Sequence, residues 1–379
     1  MSIPHLITFK PAGKFYFGTS QSFGESFFAT SLMFPPQTTI LGTLRASILE
    51  KKDKLNLETR LPSDINDSEL KKLTGTSPMK GIDDLDDNFG KILKISPVFI
   101  VRQKRESECP EDFLLPVPAD VFLNEDGKLN LVEFKPEENS KVLAGESEHF
   151  SYSAGKKMKD PVAAYLGGIQ FWNEYKEYKS KKRLNTHKGY FTEKIIISDS
   201  QHGIARKDRK TREEESLFYT KNDYRMESNY AFGVIVHLSE ENAIVDYDVF
   251  MGGERSLFKM KVERLPKSMP HLYTNHPVII RFINYKDNGD YNGSLKVDFN
   301  GEKLVLVSPF VGNDAILQEL KFALIGGMHS PRFLSSRIEK TDSFRAIPAG
   351  SVLFPAKQLS SIATYPAALK IGYNFAIKF

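Results

Sequence analysis

The order in which hydrophobic periodicity changes along the chain constrains the fold more than any single motif does. An alternating run near His5 to Lys10 predicts a first strand, and Ile40, Leu41, Leu44, Ile48 and Leu49 then fall on one face of a helix. "KILKISPVFIVRQ" returns to strand character, and "DVFLNEDGKLNLVEF" reads as a hairpin turning at Asp126 and Gly127. A second helix is predicted over "DPVAAYLGGIQFWNEYKEYKSKK", with Asp160 as N-cap and Pro161 at its first position. Strand, helix, two strands and helix is the order of a ferredoxin-like unit with insertions. Residues 51–90 are polar and read as an exposed excursion from it.

The second half repeats the theme without any residue-level repeat. A long polar hairpin spans about residues 202–225, and strands are predicted at "YAFGVIVHL", "SLFKMKVERL", "HPVIIRFINY", "SLKVDF", "KLVLVSPF" and "ALKIGYNFAIKF". A helix is expected over "DAILQELKFALIGG", from Asp314 to a stop at Gly326 and Gly327. The expected class is therefore α+β, with two ferredoxin-like (RRM-like) domains at residues 1–195 and 196–379 and glycine-rich loops. A length of 379 residues suits two domains, or one domain with large insertions.

Chemistry is scarcer than structure. Nucleophile-elbow, Walker A, His-Glu-x-x-His and G-x-G-x-x-G patterns are absent, so the common sequence-readable enzymes are disfavoured. Cys109 is the single cysteine, which excludes an intramolecular disulfide or a cysteine zinc site. The N-terminal run lacks signal-peptide character and no stretch of eighteen apolar residues occurs, so a cytoplasmic location is expected. A net charge of +4 gives only a weak overall field, and any polyanion surface has to come from clustering.

Such a cluster exists in "ARKDRKTREEE". Arg206, Lys207, Arg209, Lys210 and Arg212 at a hairpin tip can neutralise successive phosphates, although the adjacent glutamates also suit a self-compensated, solvated tip. His202 at the hairpin's start can act as a general base, contact a phosphate, or be a plain loop histidine. Gly252 and Gly253, followed by Glu254 and Arg255, suit either a tight turn or a bare backbone approaching a phosphate or base. "DDLDD", Asp83 to Asp87, reads as a solvated loop rather than a metal site. "IPAGSVLF", Ile347 to Phe354, enters a strand through a bend: Pro348 fixes the entry and Gly350 leaves the backbone bare beside Ser351.

Taken in order, these segments resemble one family. "SLMFPPQTTILGTLRASIL", the hairpin with Gly203-Ile204, Thr211, Leu217-Phe218-Tyr219 and Arg225, "MGGER", "LVLVSP" and "AIPAGSVLF" are similar to motifs of the third subunit of the type III-B CRISPR Cmr effector, in the RAMP superfamily. The chain departs from that pattern at "GGMHSPR" and "IGYNF". The resemblance implies a non-catalytic, RNA-binding scaffold without cofactor or metal. It would hold the 5′ repeat-derived tag of the CRISPR RNA and meet the large polymerase/cyclase subunit and the backbone RAMP subunits. By the same resemblance, RNA contact falls on Arg45, His202, the cations from Arg206 to Arg212, Gly252, Gly253 and Arg255, with Gly350 and Ser351 beside that loop. Two other readings stay open: a metal-independent RNA-processing endoribonuclease with His202 as acid or base, and a protein-interaction domain whose glycines only make turns.

Overall fold

A computed structural model describes residues 2–18, 27–56, 58–59, 62–76, 88–104, 109–124, 129–131, 133–136, 143–144, 148–153, 158–161, 165–181, 190–205, 217–252, 254–266, 270–283, 303–311, 320–324, 346–355 and 366–378. Strands β1 (Ile3–Pro11) and β2 (Phe27–Thr30) precede helices α1 (Gln37–Lys51) and α2 (Asp67–Thr74). Next come β3 (Ile92–Ile95), β4 (Phe99–Gln103), β5 (Pro110–Pro116), β6 (Val121–Asn124), β7 (Leu129–Leu131), β8 (Glu133–Pro136), β9 (Leu143–Ala144), β10 (Glu148–Ser153), β11 (Met158–Pro161) and β12 (Tyr165–Gly167). Helix α3 (Ile169–Lys181), β13 (Tyr190–Phe191) and one-turn α4 (Thr192–Ile195) lead into a long hairpin, β14 (Ile196–Ala205) and β15 (Leu217–Met226). Then follow β16 (Tyr230–Leu238), β17 (Tyr247–Met251), β18 (Ser256–Arg264), α5 (His271–Thr274) and α6 (Ile279–Ile283). The last elements are β19 (Leu304–Leu306), β20 (Phe310–Val311), β21 (Leu320–Leu324), β22 (Ala346–Ile347), β23 (Val352–Pro355), α7 (Pro366–Lys370) and β24 (Ala376–Lys378). The class is α+β, and every described strand pair is antiparallel except β15 with β2.

A nine-stranded sheet organises the molecule in the order β13-β12-β5-β4-β16-β1-β18-β17, with β3 also on β16. Alternation along β1 divides the core: Ile7 and Phe9 face one cluster with α1, whereas Leu6 faces another with α3 and α6. The expected face of α1 is the buried one, with Ile40, Leu41, Leu44, Ile48 and Leu49 all in the core. The sheet takes strands from both sides of residue 195. β16 lies between β1 and β4, so the two expected units share one sheet instead of parting at that residue.

Several local expectations are corrected. Asp160 and Pro161 end strand β11 against β6, and the helix begins only at Ile169. Its first amide donates to the buried Asp112 carboxylate at 3.0 Å, and a side chain on Gly168 would collide with that carboxylate. The cap thus comes from β5, 57 residues earlier in the chain. "HPVIIRFINY" contains helix α6 in place of a strand. The His276 ring accepts from the amides of Val278 and Ile279, each at 3.3 Å, and donates from Nε2 to the Phe113 carbonyl at 3.1 Å. Burial lowers the His276 pKa to about 4, so the ring is neutral.

Within "DAILQELKFALIGG", Leu320–Leu324 is a strand paired with β23, while Asp314, Gly326 and Gly327 lie outside the described residues. "ALKIGYNFAIKF" begins inside helix α7 and becomes strand only at Ala376. β6 and β7 do pair as a hairpin, with the Asp126-Gly127 turn and all of "SLKVDF" outside the described residues. The excursion at 51–90 is not wholly exposed: Leu55, Leu73 and Phe89 join the core, and α2 is capped by Asn66 on the Glu69 amide. Among the described residues, no helix is long and apolar enough to cross a membrane.

Candidate nucleic-acid interface

The hairpin, the segment before β2 and the β17–β18 turn meet on one charged face. "GKFYF" alternates: Phe15 and Phe17 enter the core, leaving Lys14 and Tyr16 outside. Phe15 exchanges backbone hydrogen bonds with Tyr224 at 2.8 and 3.0 Å, which sets this segment alongside β15. On β15, Lys221, Asp223 and Arg225 share a face by the same period of two, and their cross-strand partners on β14 are Gln201, Asp199 and Ile197.

Two ion-pair groups form there. Asp199 lies 2.9 Å from Lys14 and 3.5 Å from Arg225, and the hydrogen bond from Lys14 holds its carboxyl below the usual range. Lys221 pairs with Glu254, lies 3.0 Å from Asp223, and sits 4.8 Å above the Tyr16 ring centroid. Burial by itself would lower the Lys221 pKa, yet the two carboxylates outweigh it and raise the ammonium above its ordinary value. Desolvation, reinforced by Glu254, raises the Tyr16 phenol.

Gly252 is explained by this packing. Its φ is +77°, and a Cβ there would come within 2.4 Å of the Tyr16 carbonyl oxygen. The close approach expected of a bare backbone is therefore to this chain's own segment. Arg255 is also left-handed at φ +53° and is exposed, with Nη2 3.4 Å from the Glu58 carbonyl. Ser256 Oγ accepts from the Tyr16 amide at 3.1 Å and fixes the turn on the same segment.

The remaining expected contacts are placed differently. His202 is exposed but pairs across from Thr220, so it points to the opposite face of the hairpin from Lys221. Arg206, Lys207, Arg209, Lys210, Arg212 and Gly253 lie outside the described residues. Arg45 is turned inward. Its Nη2 donates to the Thr76 carbonyl at 3.2 Å, its guanidinium lies 5.6 Å from the Phe89 ring centroid, and burial lowers its pKa to about 10. It clamps the excursion onto α1.

Gly350 and Ser351 do not adjoin the Gly252 turn. Gly350, at φ +85°, packs on the Val117 carbonyl, donates to Leu306 at 2.7 Å and accepts from Ala119 at 2.8 Å. Val117 follows β5, five strand positions from β17, or roughly 24 Å along the sheet at ~4.8 Å per strand. The bend in "IPAGSVLF" serves the junction of β19 and β23 with the 116–121 turn. Ser351 is buried there, and nearby Asp120 binds the Tyr175 hydroxyl and Lys303.

The residues that sequence reasoning passed over are Lys14, Tyr16, Asp199, Lys221, Asp223 and Glu254. For Lys14, Tyr16, Lys221 and Asp223 the signal was the period of two in "GKFYF" and "KNDYR", whose outward set is charged or aromatic; Asp199 and Glu254 join them only through cross-strand register and the β17–β18 turn.

A family model described as CRISPR-associated protein (Cas_Cmr3) matches residues 7–277. The chain belongs to that family. The match includes every residue of the charged face. No curated protein matches the chain. Among solved structures, it is similar to a chain in "Cryo-EM structure of the Type III-B Cmr-beta bound to cognate target RNA", at 16% identity and TM-score 0.48, covering 99% of this chain and 96% of that one. The same complex with AMPPnP gives 15% identity and TM-score 0.47 at the same coverage. A chain of a Csm3-Csm4 subcomplex from a type III-A interference complex gives 11% identity and TM-score 0.40, with 99% of each chain covered.

Proposed function

We propose that this Cas_Cmr3 family chain is the non-catalytic third subunit of a type III-B CRISPR effector. In this role it is cytoplasmic, holds the 5′ tag of the CRISPR RNA, and docks the large polymerase/cyclase subunit and the backbone RAMP subunits. The observation that carries this reading is the family match over residues 7–277, which spans the hairpin, the Tyr16 segment and the Gly252 turn. The geometry is compatible with single-stranded RNA: cations and a ring on one face at the base of a hairpin whose tip carries five more cations in sequence. On this reading the chain carries two ferredoxin-like units of the RAMP superfamily whose strands, from both sides of residue 195, share the nine-stranded sheet.

A scaffold role also suits the buried histidines. His5, His237 and His276 each use a ring nitrogen on a backbone carbonyl, at 3.0, 2.9 and 3.1 Å, which makes them structural groups. The test is incubation of the purified chain with repeat RNA in EDTA, alongside binding measured over a salt series. The reading expects intact RNA and an affinity that falls steeply with salt, the slope flattening when the five cations from Arg206 to Arg212 are reversed to glutamate. Site-specific cleavage that disappears in His202→Ala would replace it with the endoribonuclease reading.

A further inference from the structure

The charged face contains its own anion. Among the described residues Lys221 is the least exposed cation on it, at 18% of its side-chain surface, and it is held by Asp223, the Tyr16 ring and Glu254. Asp223 is 6% exposed and fixed in the body of β15, while Tyr16 is locked beneath the ammonium by the Phe15–Tyr224 and Ser256 hydrogen bonds. Glu254 differs from both. It projects from the β17–β18 turn, remains 50% exposed, and reaches Lys221 only with its carboxylate.

The turn is built to hold it there. Left-handed Gly252 and Arg255 flank Glu254 in a turn closed by the Arg255 amide on the Gly252 carbonyl at 3.3 Å, and the Gly252 contact with Tyr16 sets the height of the turn above β15. Gly252 and Arg255 are thus tied down on either side, and a rotamer change is enough to take the Glu254 carboxylate off Lys221. Once it leaves, Lys221 stays oriented by Asp223 and by the Tyr16 ring.

We propose that Glu254 is the internal counter-ion of the RNA site: its carboxylate occupies the position on Lys221 that a phosphate oxygen takes when a single strand binds. This inference rests on the RNA-binding reading above. RNA entry is then an exchange of one anion for another. A strand that presents one phosphate weakly gains little from displacing Glu254, whereas one held along the whole hairpin pays for the exchange through its other contacts. Glu254 thereby discriminates against casually bound RNA. No covalent change is involved.

The probe is a fluorescently labelled 15-nucleotide oligouridylate, with binding to the full chain followed by anisotropy between 50 and 300 mM KCl. Glu254→Gln keeps the shape of the side chain and removes its charge, and Lys221→Met supplies the reference background. The expected result is roughly three- to tenfold tighter binding by Glu254→Gln, with the salt slope steeper by about 0.7, the increment for one added single-strand phosphate contact. In Lys221→Met the effect of Glu254→Gln should vanish. If the wild-type chain binds but Glu254→Gln binds equally or more weakly, or tightens binding just as much in Lys221→Met, the counter-ion role is refuted and the RNA reading survives. If neither the wild-type chain nor any variant binds, the RNA-binding reading falls and this inference falls with it.

Discussion

Protonation of His276 should set much of the acid sensitivity of the core under α3 and α6. The ring is fully buried, accepts two backbone amides at Nδ1 and donates from Nε2 to Phe113, so the folded chain holds it neutral with a pKa of about 4. The same group in the unfolded chain titrates at about 6.5. Its folded pKa is the lower one, so the unfolded state takes up the proton first as pH falls. The stability it contributes is complete above about pH 6.5 and is lost progressively down to about pH 4. At ~1.36 kcal/mol per unit over ~2.5 units, that loss is about 3 kcal/mol.

The chain carries its own reporter for this. Trp172 is the single tryptophan, is fully buried in the same cluster as Phe113 and Tyr273, and donates to the Gly167 carbonyl at 3.0 Å. Urea titrations followed by its emission at pH 7.5, 6, 5 and 4 should give a decline in the wild-type chain that is steeper, by about 3 kcal/mol over the full range, than in His276→Asn. Asn can still cap the amides but takes up no proton. His5 and the carboxylates titrate in both proteins and cancel in the comparison. Equal pH slopes would refute the argument that His276 is held neutral by its helix-capping position.

Three further outcomes follow from the packing. Gly350→Ala forces a β-carbon into the left-handed region and to 3.0 Å from the Val117 carbonyl, which should lower stability by about 1–2 kcal/mol and reduce Tm, without changing RNA affinity. Asp120→Ala removes the carboxylate that binds Lys303 and the Tyr175 hydroxyl in a buried junction and should cost roughly 3–5 kcal/mol in thermal unfolding, most of it recovered when Lys303→Met is added. Arg45→Ala should speed amide exchange at Thr76 by roughly two- to fivefold, the equivalent of ~0.5–1 kcal/mol for a lost cation–ring contact, and leave RNA binding unchanged, because that arginine clamps the excursion.

What could be read from the sequence was whatever local periodicity decides. The α1 face, the alternation of β1 and β18, the continuous apolar run of β16 and the long hairpin all follow from side-chain spacing alone. The strand at Leu320–Leu324 and the helix at Ile279–Ile283 were exchanged because short apolar runs fit either state. Tertiary partners chose between them: β23 pairs with the first, and His276 caps the second. The shared sheet was hidden for another reason. β16 settles between β1 and β4 through pairings such as Ile7 with Val234, across most of the matched region, and no local pattern encodes that. Glycines misled in a consistent way: Gly252 and Gly350 do allow close backbone approach, but to Tyr16 and Val117 of the same chain. The charged face was legible in "GKFYF" and "TKNDYR" by their period of two, and was outweighed by the denser cationic run at 206–212.

The central claim is most directly tested by photocrosslinking. An effector assembled with CRISPR RNA carrying 4-thiouridine in its 5′ tag would be irradiated, digested and mapped by mass spectrometry. The account predicts crosslinks on this chain concentrated at Lys14–Tyr16, the 206–212 tip, Lys221 and the turn at residues 252–255. Crosslinks confined to the opposite face of the hairpin around His202 and Thr220, or absent from this chain while the tag crosslinks to its neighbours, would contradict it.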